Sequence, residues 1–301
     1  MSRQFIAAAA QMGPISIGQT RGEVVGRLIE LLRESASKGA RLVVFPEAAL
    51  TPFFPHWLIS DQKELDSYFE REMPAPHLMP LFDEARRLEV GFYLGYAELT
   101  ESGEHFNSAV LVSPQGVVIG KYRKIHLPGF KEPDPGMPFQ NLEKRYFDIG
   151  DLGFNTWPIL DTTVGMCICN DRRWCETYRV LALRGAELVV LGYNTPQLTP
   201  NLPEIDPLVD EHNHLSMRAG AYQNGIWVIG TAKAGTEEGV SQIGGSCIIA
   251  PSGEVVAAAS TLGDEVITAH IDLDQSRRYR DTIFNFAAHR RPEHYGEISS
   301  S

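Results

Sequence analysis

The sequence is first informative for what it lacks. Among its 301 residues no apolar run approaches the ~20 residues that a membrane helix needs, and the N-terminal stretch Phe5-Ile6-Ala7-Ala8-Ala9-Ala10 is short and preceded by a single Arg. That stretch reads as a first strand rather than a signal segment, so a cytoplasmic protein without a membrane partner is expected. Basic charge is also scarce: 27 Lys+Arg face 38 Asp+Glu, a net charge of −11. A protein that tracks nucleic acid usually shows a basic face, so no nucleic-acid partner is expected. Cysteine is limited to Cys167, Cys169, Cys175 and Cys247, three of them within nine positions, which is no spaced disulfide framework. Residues two apart on a strand have Cα atoms roughly 6.6 Å apart, near the upper limit for a bridge, so four free thiols in a reducing compartment are expected.

Cofactor signatures are missing as well. No Cys-x-x-Cys or His-Glu-x-x-His motif occurs, and His212 and His214 would fall on different faces of a helix, so no metal is expected. Gly116, Gly120 and Lys121 are spaced one residue short of a phosphate loop, and no Ser or Thr follows the Lys. No Gly-x-Gly-x-x-Gly follows a strand, so no dinucleotide or other organic cofactor is expected. No Pro/Ser/Gly linker or low-complexity tract divides the chain, which reads as a single domain over residues 1–301.

What is present alternates between strand and helix periods. Strands are expected at 5–10, 41–45, 91–99, 164–169, 187–191, 226–230 and 266–272. Helices are expected at 21–38, 78–88, 174–183 and 207–222, the last with Asp206 as N-cap and Pro207 in the first turn. Turns at Ser113-Pro114-Gln115-Gly116 and Pro251-Ser252-Gly253 mark two hairpins, and a short helix runs through Arg280. This is an α/β pattern with a mixed sheet system. The segment 124–150, rich in Pro, Gly and charge, is too long for a plain connection, and long ordered loops are often functional.

Three segments place reactive side chains at the ends of apolar strands, where active groups of α/β proteins gather. Phe45-Pro46-Glu47 offers a carboxylate whose desolvation would suit it to general-base work. Lys121-Tyr122-Arg123-Lys124-Ile125-His126-Leu127 puts Lys124 and Tyr122 on one strand face and Arg123 on the other, and a lysine near a reacting carbonyl stabilises an oxyanion. Cys167-Ile168-Cys169-Asn170-Asp171-Arg172-Arg173-Trp174 runs from strand to helix with Cys169 at the junction, where backbone N–H groups would favour a thiolate. Cys167, Cys175 and Cys247 read as packing residues. Together Cys169 as nucleophile, Glu47 as base and Lys124 as electrostatic stabiliser form a hydrolase set.

These three segments, in this order and at these separations, resemble the catalytic signatures of the nitrilase superfamily of carbon-nitrogen hydrolases. Thr51-Pro52-Phe53-Phe54-Pro55, Leu142-Glu143-Lys144-Arg145-Tyr146-Phe147, Gly192-Tyr193-Asn194-Thr195-Pro196, Tyr222-Gln223-Asn224-Gly225 and Ile283-Phe284-Asn285-Phe286 narrow the resemblance to the N-carbamoyl-D-amino-acid amidohydrolases. The resemblance implies a four-layer α-β-β-α sandwich, two mixed sheets flanked by helices. It implies a homodimer or homotetramer, with the last ~30 residues an extension used in subunit contacts. It implies Glu47, Lys124 and Cys169 as triad, Glu143 as the glutamate that orients the lysine, and no metal or cofactor. It implies that Arg172 and Arg173 grip a substrate carboxylate, with Asn170, Asn194, Thr195 and His126 at the same pocket.

The implied activity is hydrolysis of an N-carbamoyl-D-amino acid to D-amino acid, carbon dioxide and ammonia through a cysteine thioester. Another amidase of the superfamily, such as a β-ureidopropionase or an aliphatic amidase, is the alternative. Asn141 and Phe130 stand where that group often has His, and the Pro-rich loop 131–138 is unusual for it. An arginine fork meets a carboxylate with two hydrogen bonds, which a protein of net charge −11 needs if its substrate is an anion.

Overall fold

The computed structural model describes residues 3–299. The chain begins β1 (Gln4–Gln11), α1 (Arg21–Ser37), β2 (Ala40–Val44), α2 (Gln62–Asp66), α3 (Met79–Leu88), β3 (Gly91–Leu99), β4 (His105–Val112) and β5 (Val118–Arg123). It continues α4 (Glu143–Tyr146), β6 (Thr156–Ile159), β7 (Thr162–Ile168), α5 (Cys175–Leu183), β8 (Leu188–Tyr193), α6 (Val209–Asn224) and β9 (Trp227–Ala232). The last elements used below are β10 (Ala234–Glu237), β11 (Val240–Ile243), β12 (Cys247–Ile249), β13 (Val255–Ala258), β14 (Glu265–Asp272) and α7 (Leu273–Asp281).

Two six-stranded sheets form, ordered β14-β1-β2-β3-β4-β5 and β13-β12-β9-β8-β7-β6. Each is mixed, with three central parallel strands (β1-β2-β3 and β7-β8-β9) and antiparallel edges. Side chains of the first sheet alternate as the pleat requires. Ala7, Ala9, Leu42, Val44, Tyr93 and Leu111 meet the second sheet. Ala8, Ala10, Val43, Phe92 and Leu94 meet α1 and α3 through Leu28, Leu32, Leu81 and Phe82. Strands buried on both faces carry continuous apolar runs, which is why β1 reads as unbroken alanine. Tyr178 and Leu181 of α5 with Met217 and Ala221 of α6 complete the outer layer of the second sheet. The architecture is the expected α-β-β-α sandwich.

Local departures have physical causes. The helix expected from 207 starts at Val209; Pro207 lies inside a 3-10 turn, and the Asp206 carboxylate accepts from the Thr199 amide instead of capping. The short strand β6 and the β10–β11 hairpin were not expected, because Pro158, Gly235 and Gly239 interrupt the strand pattern there. Cys175 is exposed rather than packed, being the first residue of a surface helix, whereas Cys167 and Cys247 are buried. Among the described residues no helix is long and apolar enough to cross a membrane.

His56 is a buried group with an outward consequence. Its ring lies against Phe53, Trp57 and Phe139, and neither nitrogen has a hydrogen-bond partner. Burial first, and Lys233 second, push its pKa from 6.5 down to about 3. The folded state therefore refuses a proton that the unfolded chain accepts below 6.5, so this group's favourable contribution is complete above 6.5 and is lost as pH falls toward 3. Each pH unit inside that window costs about 1.4 kcal/mol. Replacing His56→Leu is expected to flatten the pH dependence of unfolding free energy between pH ~6 and ~4 by about that slope. Identical slopes for the two proteins in denaturant titrations would contradict the assignment.

Candidate active site

Beyond the end of β2 the chain passes close to strands of both sheets. A Cβ added at Gly95 of β3 would lie 2.6 Å from the Pro46 oxygen and 2.7 Å from the Glu47 Cα, and one added at Gly192 of β8 would overlap the Glu47 nitrogen. Only glycine leaves room for the chain to pass between the sheets there. Glu47 is thereby held in the interior with no exposed surface, followed by Ala48 in a left-handed backbone conformation at φ 45°. Its carboxylate is fully committed. One oxygen accepts from the Asn107 amide at 2.8 Å and the Lys124 ammonium at 2.7 Å. The other accepts from the Asn194 backbone at 2.9 Å and side chain at 3.3 Å.

Lys124 follows β5 directly, its amide tied to the Asn107 carbonyl. Its ammonium also donates to Glu143 at 2.6 Å, and all three charged side chains have 0% exposure. Burial alone would lower the lysine pKa, but Cys169, Glu143 and Glu47 outweigh it and hold the pKa above the usual lysine value, so Lys124 stays a cation. Burial, with the charge of Glu47 adding to it and Lys124 opposing, pushes the Glu143 carboxyl above the ordinary carboxylate range. Glu143 opens α4, where Asn141 Oδ1 accepts from its backbone amide and Asn141 Nδ2 approaches its carboxylate at 3.4 Å. Asn141, a departure from the resembled group, thus braces Glu143.

Cys169 directly follows β7 in a left-handed conformation at φ 46°, a costly state for a non-glycine residue and one that clusters at functional sites. Its thiol donates to the Asn194 carbonyl at 3.5 Å. Asn194 is therefore the link between Cys169 and Glu47. The thiol pKa is raised, by burial first and Glu47 second, with Lys124 and Arg172 opposing. This corrects the expectation of a thiolate favoured by a helix start: a short 3-10 turn, Cys169–Arg173, intervenes before α5, and burial dominates. The resting thiol is protonated and needs a base.

Asp171 fixes the turn that carries the cysteine. Its two oxygens accept from the amides of Ile168 and His126, from His126 Nδ1 at 2.8 Å and from the Tyr122 hydroxyl at 2.8 Å. His126 also stacks on Trp174 with ring centroids 4.8 Å apart. It lines a surface cavity beside Asn170, apart from the cavity that Arg173 lines.

The two adjacent arginines divide. Arg172 is buried, donating to the Cys169 carbonyl at 2.7 Å and the Thr195 hydroxyl at 2.8 Å with its guanidinium over the Tyr193 ring. It holds the cysteine turn, with Nη1 also 3.7 Å from the Cys169 sulfur. Arg173 points into a cavity of about 640 Å³ lined also by Thr195, Asn141, Phe130, Phe139 and Leu198. Its one side-chain partner there is Asn170 Oδ1 at 3.1 Å. The cavity reaches His212 on α6, while His214 turns to the Gly245 carbonyl. Asn194 grips Glu47 instead of lining this cavity, although its buried side-chain oxygen has no partner. Among the described residues no group of three or more His, Cys, Asp and Glu is gathered to hold a metal.

Asn107 is the residue that sequence reasoning missed. It lies buried on β4 and donates to both Glu47 and Glu143, the latter at 3.4 Å. A lone amide between Phe106 and Ser108, just ahead of the apolar run 109–112, was the available signal.

Removing the lysine tests this arrangement. Lys124→Ala strips an oxyanion-stabilising donor, worth ~100- to 1,000-fold in turnover, and leaves two buried carboxylates unpaired. It should be both nearly inactive and less thermostable. Adding Glu143→Gln should restore part of the melting temperature and none of the activity. Unchanged turnover in Lys124→Ala would remove the lysine from the chemistry.

The chain is similar to known proteins over most of its length. The model of the carbon-nitrogen hydrolase family matches residues 6–281. A nitrilase of Pyrococcus abyssi is 33% identical over 88% of this chain and 90% of its own length. An N-carbamoylputrescine amidase of Solanum lycopersicum is 31% identical over 88% of this chain and 86% of its own. A solved carbon-nitrogen hydrolase of Helicobacter pylori superposes with a TM-score of 0.86 at 25% identity, covering 100% of this chain and 99% of that one. With the sandwich, the buried Glu-Lys-Glu cluster and the strained cysteine before us, the chain belongs to the carbon-nitrogen hydrolase family of the nitrilase superfamily and is an amidohydrolase.

Proposed function

We propose that this enzyme hydrolyses the carbamoyl C–N bond of N-carbamoyl-D-amino acids. The observation that carries the reading is the division of the arginines: Arg173 alone presents a cation to a cavity whose walls include Phe130, Met137, Phe139, Leu198 and Ile205. Arg173 is an exposed side chain, so its guanidinium is open to a ligand that enters the cavity. Such a cation is stabilised by a carboxylate and repels an amine. A substrate with a carboxylate and an apolar side chain fits this cavity better than an N-carbamoyl amine whose far end is an ammonium. The solanaceous relative named for N-carbamoylputrescine supports the ureido group as the reacting part. The D configuration rests on the resemblance of the motifs.

The chemistry follows from the protonation states. Glu47 takes the proton of the Cys169 thiol, and the sulfur attacks the ureido carbonyl. Lys124 and the Asn170 amide stabilise the oxyanion. Ammonia leaves with a proton returned by Glu47, and water activated by the same carboxylate hydrolyses the carbamoyl thioester to the carbamate, which releases carbon dioxide and the D-amino acid. Glu143 and Asn107 hold Lys124 and Glu47 in register throughout. No metal or organic cofactor enters this scheme. The exposed Ile283 and Ile298, at 59% and 67% exposure, support a role for the C-terminal extension in subunit contacts of a homodimer or homotetramer.

Ammonia release from N-carbamoyl-D-phenylalanine, its L-form, N-carbamoylputrescine, a simple amide and a nitrile, with Cys169→Ala as blank, tests the reading. Preference for the D-ureide is expected, and preference for the putrescine ureide or the nitrile would overturn it. Arg173→Met should raise KM for the carboxylate substrate at least ~10-fold with a smaller change in kcat, as loss of a charge-assisted pair would, and should leave a neutral amide unaffected. Equal losses on both substrates would contradict the clamp.

A further inference from the structure

We infer that Lys233 and Glu237, a buried ion pair against the loop that follows Glu47, are positioning residues for the general base. The inference rests on reading Glu47 as that base. The loop from Pro46 to Phe53 is buried and forms neither helix nor strand; the Thr51 amide donates to the Ala48 carbonyl and β3 meets Pro46 and Ala49, and its remaining backbone polar groups find partners elsewhere. Lys233 donates to the Thr51 carbonyl at 2.5 Å. Glu237 accepts from the Phe53 amide at 2.5 Å, from the Ile15 amide at 3.0 Å and from Lys233 at 2.9 Å. Both charged side chains are 1% exposed.

The same stretch of chain also reaches the other side of Glu47. The Lys233 amide donates to the Tyr193 carbonyl, directly before Asn194, whose backbone and side chain hold the Glu47 carboxylate. The β10–β11 hairpin that follows then fixes the loop after Asn194, through Ile243 to the Thr195 carbonyl at 3.0 Å and Gln197 to the Ser241 carbonyl at 2.7 Å. One short segment thus clamps both chains that set the position of the base.

Stability alone does not call for a charged pair here. Replacing a buried ion pair by uncharged groups of similar volume is often neutral or stabilising, whereas fixing one geometry is a use to which such pairs are put. Misplacement of a reacting group by about 1 Å can cost ~100-fold in rate without touching substrate affinity.

The test is the double variant Lys233→Met/Glu237→Gln, which removes both charges together. Activity is measured as ammonia release from N-carbamoyl-D-phenylalanine, or from a simple amide if that ureide is not turned over, so that a wrong substrate assignment does not mask the result. The expected outcome is kcat lower by about 10- to 100-fold, KM within about 3-fold and a melting temperature near the parent's, with Lys233→Arg recovering much of kcat. A double variant with kcat within about 3-fold of the parent, while Glu47→Gln is inactive, overturns the inference and leaves the base in place. Parallel loss of kcat, affinity and melting temperature without rescue by Lys233→Arg also overturns it, assigning the pair to the fold. An active Glu47→Gln enzyme overturns the base and the inference together. If the double variant does not fold, Glu237→Gln alone must lower kcat at least about 3-fold at unchanged KM, and unchanged kcat overturns the inference.

Discussion

A lysine ammonium with no exposed surface, held between two carboxylates, is the constraint on which this structure turns. Taking three charges out of water is tolerable only if each is paired and hydrogen-bonded, and here every partner comes from a different part of the chain. Glu47 arrives on the end of β2, Lys124 on the end of β5, Glu143 on α4, and Asn107 from β4 bridges the two acids. The sandwich must therefore close correctly before the cluster is satisfied. The cluster in turn sets the electrostatics felt by Cys169, which burial and Glu47 keep protonated against the pull of Lys124 and Arg172.

That balance explains why a carboxylate stands beside the thiol at all. A helix-start thiolate would need no base, but the cysteine turn is a short 3-10 segment, and its left-handed cysteine is held by Arg172 and Asp171 rather than by a helix terminus. Asn194 joins the two reacting groups, its backbone and side chain holding Glu47 while its carbonyl receives the thiol. The cavity that Arg173 lines lies outside this buried cluster, and among the described residues that line it Arg173 is the only arginine.

Much of this was legible in the sequence where a residue's role follows from local pattern. The strand ends carrying Glu47, Lys124 and Cys169 were visible because apolar runs break abruptly into reactive side chains. The double-sided burial of β1 was visible in its alanines. What was not legible depends on contacts between distant segments. Nothing in Arg172-Arg173 tells which guanidinium turns inward; the fold decides it by placing Thr195 and the Cys169 carbonyl within reach of the first. Nor does local pattern tell that the His126 ring is held by Asp171 and Trp174. Asn107, Gly95 and Gly192 look ordinary until two sheets are laid face to face. The β10–β11 hairpin escaped notice because polar and glycine-rich strands of four residues carry almost no periodic signal.

The central claim is that Cys169 carries the acyl group during turnover. Its most direct measurement is rapid acid quenching of the enzyme mixed with an N-carbamoyl-D-amino acid labelled at the ureido carbon, followed by peptide mass mapping. The account predicts a labelled carbamoyl group on the peptide containing Cys169, formed and lost on the timescale of turnover. Turnover with the label absent from Cys169, or carried instead by the exposed Cys175, would contradict it.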